Sequence, residues 1–127
     1  MPVTTTLPNP STQFISLETA IDMTALYRTN REIILQTIYR GIDLLPLSET
    51  FSRGAIDAIL AHEECAGLRI YYGMDENEKL HAILVGVNVD NEDILPTGSL
   101  NEAEDPVIVE NGQRCPPSCP PPSDLNE

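Results

Sequence analysis

The chain has 127 residues, 41% of them hydrophobic but only 5% aromatic and none tryptophan, which describes one ordinary domain with an aliphatic core. Its net charge is −13, and residues 88–127 hold nine acids against one base; with no basic patch, nucleic-acid phosphates are excluded as partners. No run reaches the roughly 18 to 20 apolar residues of a membrane helix, and the opening MPVTTTLPNPSTQF has neither the basic nor the apolar region of a signal peptide, so the expectation is a cytoplasmic protein without membrane contact and with reduced cysteines.

Residues 1–15 read as a flexible arm, because Pro2, Pro8 and Pro10 interrupt any helix. Ser16 then offers an N-cap to SLETAIDMTALYRTNREIIL, where Leu17, Ala20, Ile21, Thr24 and Tyr27 repeat at helical spacing. That helix ends either at Thr29-Asn30 or near Ile38. After Gly41, the run Ile42 to Leu47 is a short strand held to a sheet edge by Pro46, which cannot donate to a ladder. Ser48 or Ser52 caps a second helix, RGAIDAILAHEE, with an apolar stripe of Ile56, Ile59 and Leu60.

The strongest pattern is GLRIYYGMDENEKLHAILVGVN, a hairpin with strands at about 68–74 and 79–88 around the turn DENE. Setting Met74 against Lys79 places Leu68, Ile70, Tyr72, Ile83, Val85 and Val87 on one face, which the helices would cover. The other face, with Arg69, Tyr71, Leu80, Ala82 and Leu84, is too apolar to lie bare in water, so the tail or a second subunit is expected on it. Asp90 to Asp93 is an acidic turn, GSLNEAEDP is linker-like, and VIVE at 107–110 is a further strand ending in an Asn111-Gly112 turn. The fold expected is therefore α+β in two layers: a small antiparallel sheet built on the hairpin and covered by two helices. The organisation is an arm (1–15), one domain (16–111) and a Pro/Cys-rich acidic tail (112–127).

The tail GQRCPPSCPPP holds two of the three cysteines. Four residues of polyproline rise about 12 Å, beyond the ~7 Å that a disulfide bridges, so a direct Cys115–Cys119 bond is disfavoured. Its residues Arg114, Cys115, Pro116, Pro117, Cys119, Pro120 and Pro121 are candidates for docking, because a preformed extended segment loses little entropy on binding. A strap folded back on its own sheet and a free end both remain open. His62, Cys65, Cys115 and Cys119 make a countable zinc set with tetrahedral ligand types, against which stand a buried small Cys65 and free tail thiols. Arg114 beside Cys115 would favour a thiolate. Tyr72 and His81 form a candidate polar site, with Glu76 and Glu78 near enough in sequence to suit general-base chemistry, although a histidine there more commonly plugs a core edge.

In LRIYYGM, KLHAILVGVNVDNEDILP and CPPSC the chain resembles a group of short uncharacterised bacterial proteins that share a Y-x-G strand end, an L-V-G-V strand and a C-terminal C-P-P-x-C. The resemblance spans about residues 42–122 and implies that the cysteine-proline tail belongs to a repeated design; it implies no catalytic residue. The function expected is a small interaction module, non-enzymatic, binding a protein partner or its own copies. The alternatives are a metal- or thiol-based sensor using the tail cysteines, and an enzyme with His81 as acid or base.

Overall fold

The computed structural model describes residues 6–97 and 105–127; the first part of the expected arm and most of the linker-like GSLNEAEDP lie outside these. The fold is α+β, with antiparallel sheets of two and three strands and two α-helices. The chain divides into two compact units: residues 1–8, 51–73 and 81–112 form one, and residues 9–50, 74–80 and 113–127 form the other. One helix belongs to each.

In the second unit, α1 (Leu17–Asn30) starts where Ser16 Oγ accepts from Thr19 N–H at 3.0 Å. It stops at the earlier of the two expected ends. Thr29 and Asn30 turn their side chains back onto the carbonyls of Ala25 and Leu26, and the chain leaves the helix through a turn. The run Ile42 to Leu47 is not a strand, which corrects the sequence expectation. Asp43 has φ +57°, and each carbonyl of residues 43 to 46 accepts from a side chain, that of Leu44 also from Leu80 N–H. Arg114 holds Asp43 and Leu44, Arg31 holds Leu45, and the Tyr27 hydroxyl donates to Pro46 at 2.6 Å. The strand comes one residue later as β1 (Ser48–Thr50).

In the first unit, α2 (Arg53–Leu60) is capped by Ser52, whose Oγ accepts from Ala55 N–H, and it ends before His62. Its only buried residue is Ile59, 3% exposed. The three-stranded sheet has the order β2 (Gly67–Met74), β3 (Leu80–Val87), β4 (Asp93–Ile94). Val109 adds a single bridge beside Leu84, so the expected strand 107–110 contracts to one residue pair, with bonds of 2.7 and 2.9 Å. β3 is central and supplies three deeply buried side chains, Leu84, Val85 and Val87, each 2 or 3% exposed.

Two hairpin turns have the same construction. In Asp75–Lys79, Glu78 N–H donates to the Asp75 carbonyl, Asp75 N–H to the Lys79 carbonyl, and Glu78 takes φ +64°. In Asn88–Glu92 the same bonds recur, and Asn91 takes φ +64°. Each turn starts with a side chain, Asp75 or Asn88, whose oxygen accepts two backbone N–H groups of the loop. This is a type I turn followed by a left-handed residue, the three-residue hairpin loop.

That loop fixes the pairing of β2 with β3 one residue away from the expected register. A methyl at Gly73 would lie 2.7 Å from Ile83 Cδ1, and one at Gly67 3.3 Å from Val87 Cγ2, so odd-numbered positions of both strands share a face. Just before the strand, Ala66 N–H also reaches the Val87 carbonyl at 2.7 Å, the mark of a bulge at its start. A slip of one residue exchanges the faces of a strand. Leu68, Ile70 and Tyr72, expected in the core, are instead 40, 48 and 71% exposed. On β3 the even side carries Leu84 and Gly86. Gly86 has little room for a side chain, since a methyl there would lie 3.0 Å from Cys65 Sγ and 3.3 Å from Ile59 Cγ2.

Candidate functional site

The most exposed apolar surface of the sheet is β2 itself. Asp75 N–H points at β3, and the direction of backbone groups alternates along a strand. The odd residues of β2 therefore bond β3. The N–H and C=O groups of Leu68, Ile70, Tyr72 and Met74 face outward, and among the described residues no strand pairs with that edge. The side chains of the same four residues make an exposed apolar row, with Met74 60% exposed. Natural sheets ordinarily blunt such an edge with lysine, proline or a bulge. Here the strand from Gly67 to Met74 has neither lysine nor proline, and its bulge lies at the start.

The opposite face of β2 is tied down by a polar cluster that the sequence did not reveal. The Arg69 guanidinium pairs with the Asp93 carboxylate and with the Asn91 side chain and carbonyl. The Tyr71 hydroxyl donates to the other Asp93 oxygen. The bond to Asp93, with some help from desolvation, pushes the Tyr71 pKa above its ordinary value. Together these contacts lock β2 to the β3–β4 turn across β3. The sequence signal was present only as an Arg-x-Tyr spacing followed by an acidic turn, which also fits two solvated surfaces.

Tyr27 has a raised pKa as well, chiefly because burial disfavours its phenolate, with Arg31 opposing. Both phenols thus favour their protonated forms in the fold. Their contribution to stability is complete below 10.0, the ordinary tyrosine pKa, and is lost as pH rises through the higher folded values. The expected result is a melting temperature that drops more steeply at alkaline pH in the wild type than in a Tyr27→Phe, Tyr71→Phe double variant; identical alkaline slopes would remove both tyrosines from the account.

From Gln113 onward the tail belongs to the second unit. Its first residues form β5 (Gln113–Cys115), antiparallel to β1, with Ser48 opposite Cys115, Glu49 opposite Arg114 and Thr50 opposite Gln113. Leu47 N–H adds a bond to the Cys115 carbonyl at 2.7 Å. Arg114 is 8% exposed: its Nε donates to Leu80 O at 3.0 Å, and its Nη2 to Asp43 O and Leu44 O at 3.0 and 3.1 Å. It therefore serves as an internal clamp. Pro117, Pro120 and Pro121 are exposed and Pro116 is half-buried. Pro120 and Leu125 stand with Tyr27 and Leu47 around a cleft of about 310 Å³, and Arg28 holds the tail's end through the Leu125 carbonyl at 2.7 Å.

Cys115 and Cys119 form a disulfide with Cα atoms 4.5 Å apart, which overturns the expectation of free thiols. The extended-chain estimate fails because the segment turns: Ser118 N–H donates to the Arg114 carbonyl at 2.9 Å. Cys115 is buried and Cys119 exposed. With the two sulfurs bonded to each other, the expected zinc set loses half of its ligands. The other two are engaged locally: Cys65 Sγ donates to Gly67 O at 3.2 Å, and His62 Nδ1 accepts from Glu64 N–H at 3.2 Å. Among the described residues no three His, Cys, Asp or Glu side chains gather as a metal would require.

Tyr72 and His81 are not brought together as a polar site. Tyr72 belongs to the exposed row, whereas His81 lies on the odd face with Nδ1 3.2 Å from Glu110 Oε1. The carboxylate paired with it is that of Glu110. Neither the cleft beside Pro120 nor one of about 430 Å³ beside His62, Glu63 and Asp105 includes His81. No helix among the described residues is long and apolar enough to cross a membrane. Comparison with known protein families, with curated proteins and with solved structures finds no match.

Proposed function

We propose that this chain is a small non-enzymatic interaction module whose binding element is the outer edge of β2. The observation that carries this reading is the coincidence, on one strand, of outward backbone donors and acceptors with the exposed row Leu68, Ile70, Tyr72 and Met74. An extended segment added to such an edge gains main-chain hydrogen bonds from the backbone and apolar contact from alternate side chains. The Arg69–Asp93–Tyr71 cluster supports the same role by holding the strand in place from its other face, so that little ordering entropy remains to be lost on binding. The Pro/Cys tail contributes inwardly, as β5 and as the Arg114 clamp, and leaves β2 as the surface that meets partners.

The reading is tested by amide hydrogen exchange with an added peptide of alternating valine and threonine, flanked by lysines for solubility. Protection of the Leu68, Ile70, Tyr72 and Met74 amides on addition of the peptide to highly diluted chain is the expected result. If those four amides exchange unprotected both with and without it, the edge does not accept strands and the reading fails.

A further inference from the structure

Resting on that edge reading, we infer that the strand which occupies the β2 edge is β2 of a second copy of this chain, related by a two-fold axis through Tyr71. The argument starts from charge. Each chain carries −13, so most of its surface repels a copy. The strand Gly67–Met74 is the exception: its single charge is Arg69, already matched by Asp93. Two β2 strands therefore meet without a like-charge pair. A partner selected by charge would find nothing on this strand to select it, whereas an uncharged apolar row is matched by itself.

Geometry then fixes the register. The outward backbone groups belong to even-numbered residues, so an antiparallel pair of β2 strands must hydrogen-bond even residues to even residues. With the axis at Tyr71, Leu68 lies opposite Met74 of the partner subunit and Ile70 opposite Tyr72 of the partner subunit, and every outward N–H and C=O from Leu68 to Met74 is used. Moving the axis to Ile70 or Tyr72 leaves one end of the row unpaired on each strand. The Tyr71 register also joins the two exposed rows into one apolar patch on one face, while the two Tyr71 side chains meet on the other as a pair whose Cα atoms are about 4.5 Å apart, the spacing of directly opposed residues that do not exchange hydrogen bonds. An isologous contact of this kind closes on itself and yields a dimer rather than a filament.

Cysteine cross-linking reads the register. The background is Cys65→Ser, which keeps a donor for the Gly67 carbonyl and removes the free thiol. In it, Tyr71→Cys is expected to oxidise to a covalent dimer, because about 4.5 Å between Cα atoms suits a disulfide. Ile70→Cys and Tyr72→Cys are each expected to form no disulfide cross-link alone, yet to form a mixed covalent dimer when combined. Adding Tyr72→Lys to the Tyr71→Cys chain should abolish cross-linking without changing the circular dichroism, since Tyr72 is 71% exposed. Equal cross-linking at positions 70, 71 and 72, or none at position 71 in a folded chain, overturns the inference. In the second case, peptide-induced protection of the outward amides would leave the edge reading standing and remove only the second copy; absence of both removes both.

Discussion

Arg114→Ala is expected to lower the unfolding free energy by about 3 to 5 kcal/mol, the largest effect of any single substitution in the second unit. The guanidinium is 8% exposed and donates to three carbonyls, those of Leu80, Asp43 and Leu44. Hydrogen bonds that involve a charged group are worth about 1.5 to 3 kcal/mol each and do not add fully. Only Leu44 O retains another donor, Leu80 N–H at 2.8 Å. Arg114→Met should not restore the loss, because an apolar chain of similar length leaves the same carbonyls unpaired. Arg114→Lys should recover part of it, as a single ammonium cannot reproduce the planar fork that reaches all three. The measurement is the urea midpoint of each variant. A loss below about 1 kcal/mol for the alanine variant, within the range of ordinary surface substitutions, would show that the tail is not clamped by this side chain.

Ile59→Ala should cost about 2 to 5 kcal/mol, the range for removing a buried branched side chain and leaving a cavity. Ile59 is the buried residue of α2 and touches the space above Gly86 in the central strand, where a methyl group would be 3.3 Å from its Cγ2. Ile59 is the most deeply buried side chain of α2, with Ile56 one turn before it only half-buried. The paired variant Gly86→Ala approaches the same spot from below. It should destabilise by about 1 to 3 kcal/mol through overpacking against Cys65 and Ile59, and should be better tolerated when combined with Ile59→Ala than alone. A urea midpoint unchanged by Ile59→Ala would mean that α2 does not cover the sheet where Gly86 places it.

Much of this architecture was legible in the chain. Ser16 and Ser52 announced their helices, and the apolar runs on either side of DENE announced the hairpin, because capping and alternation are local signals. The register was not legible, for a definite reason. The loop that sets it needs a left-handed residue, and the residue that supplies it is Glu78 rather than the glycine that usually marks such a turn. Without that mark the pairing reads one residue off, and the row Leu68, Ile70, Tyr72 is taken for core when it is surface. The same row is the basis of the proposed function, so a slip of one position separated the sequence reading from the site.

The tail was hidden for another reason. β1 and β5 are three residues each, mostly polar, and pair across the 48–115 separation. Neither SET nor QRC shows alternation, and the carbonyls that Arg114 takes belong to a run, Ile42 to Leu47, whose composition reads as a strand. Composition also misled about the cysteines. CPPSC looks extended, whereas a backbone bond from Ser118 to Arg114 folds it into a turn that closes a disulfide. Local sequence carries no record of such a bond.

The central claim is that the outer edge of β2 is a strand-accepting surface. Residue-resolved amide exchange on the intact chain, with and without the valine–threonine peptide, tests it most directly. The account predicts that the peptide slows exchange at Leu68, Ile70, Tyr72 and Met74 while leaving the odd-numbered amides, already bonded to β3, unchanged, and that Tyr72→Lys weakens the effect. Slowed exchange confined to other parts of the chain, with the four outward amides unprotected throughout, would contradict it.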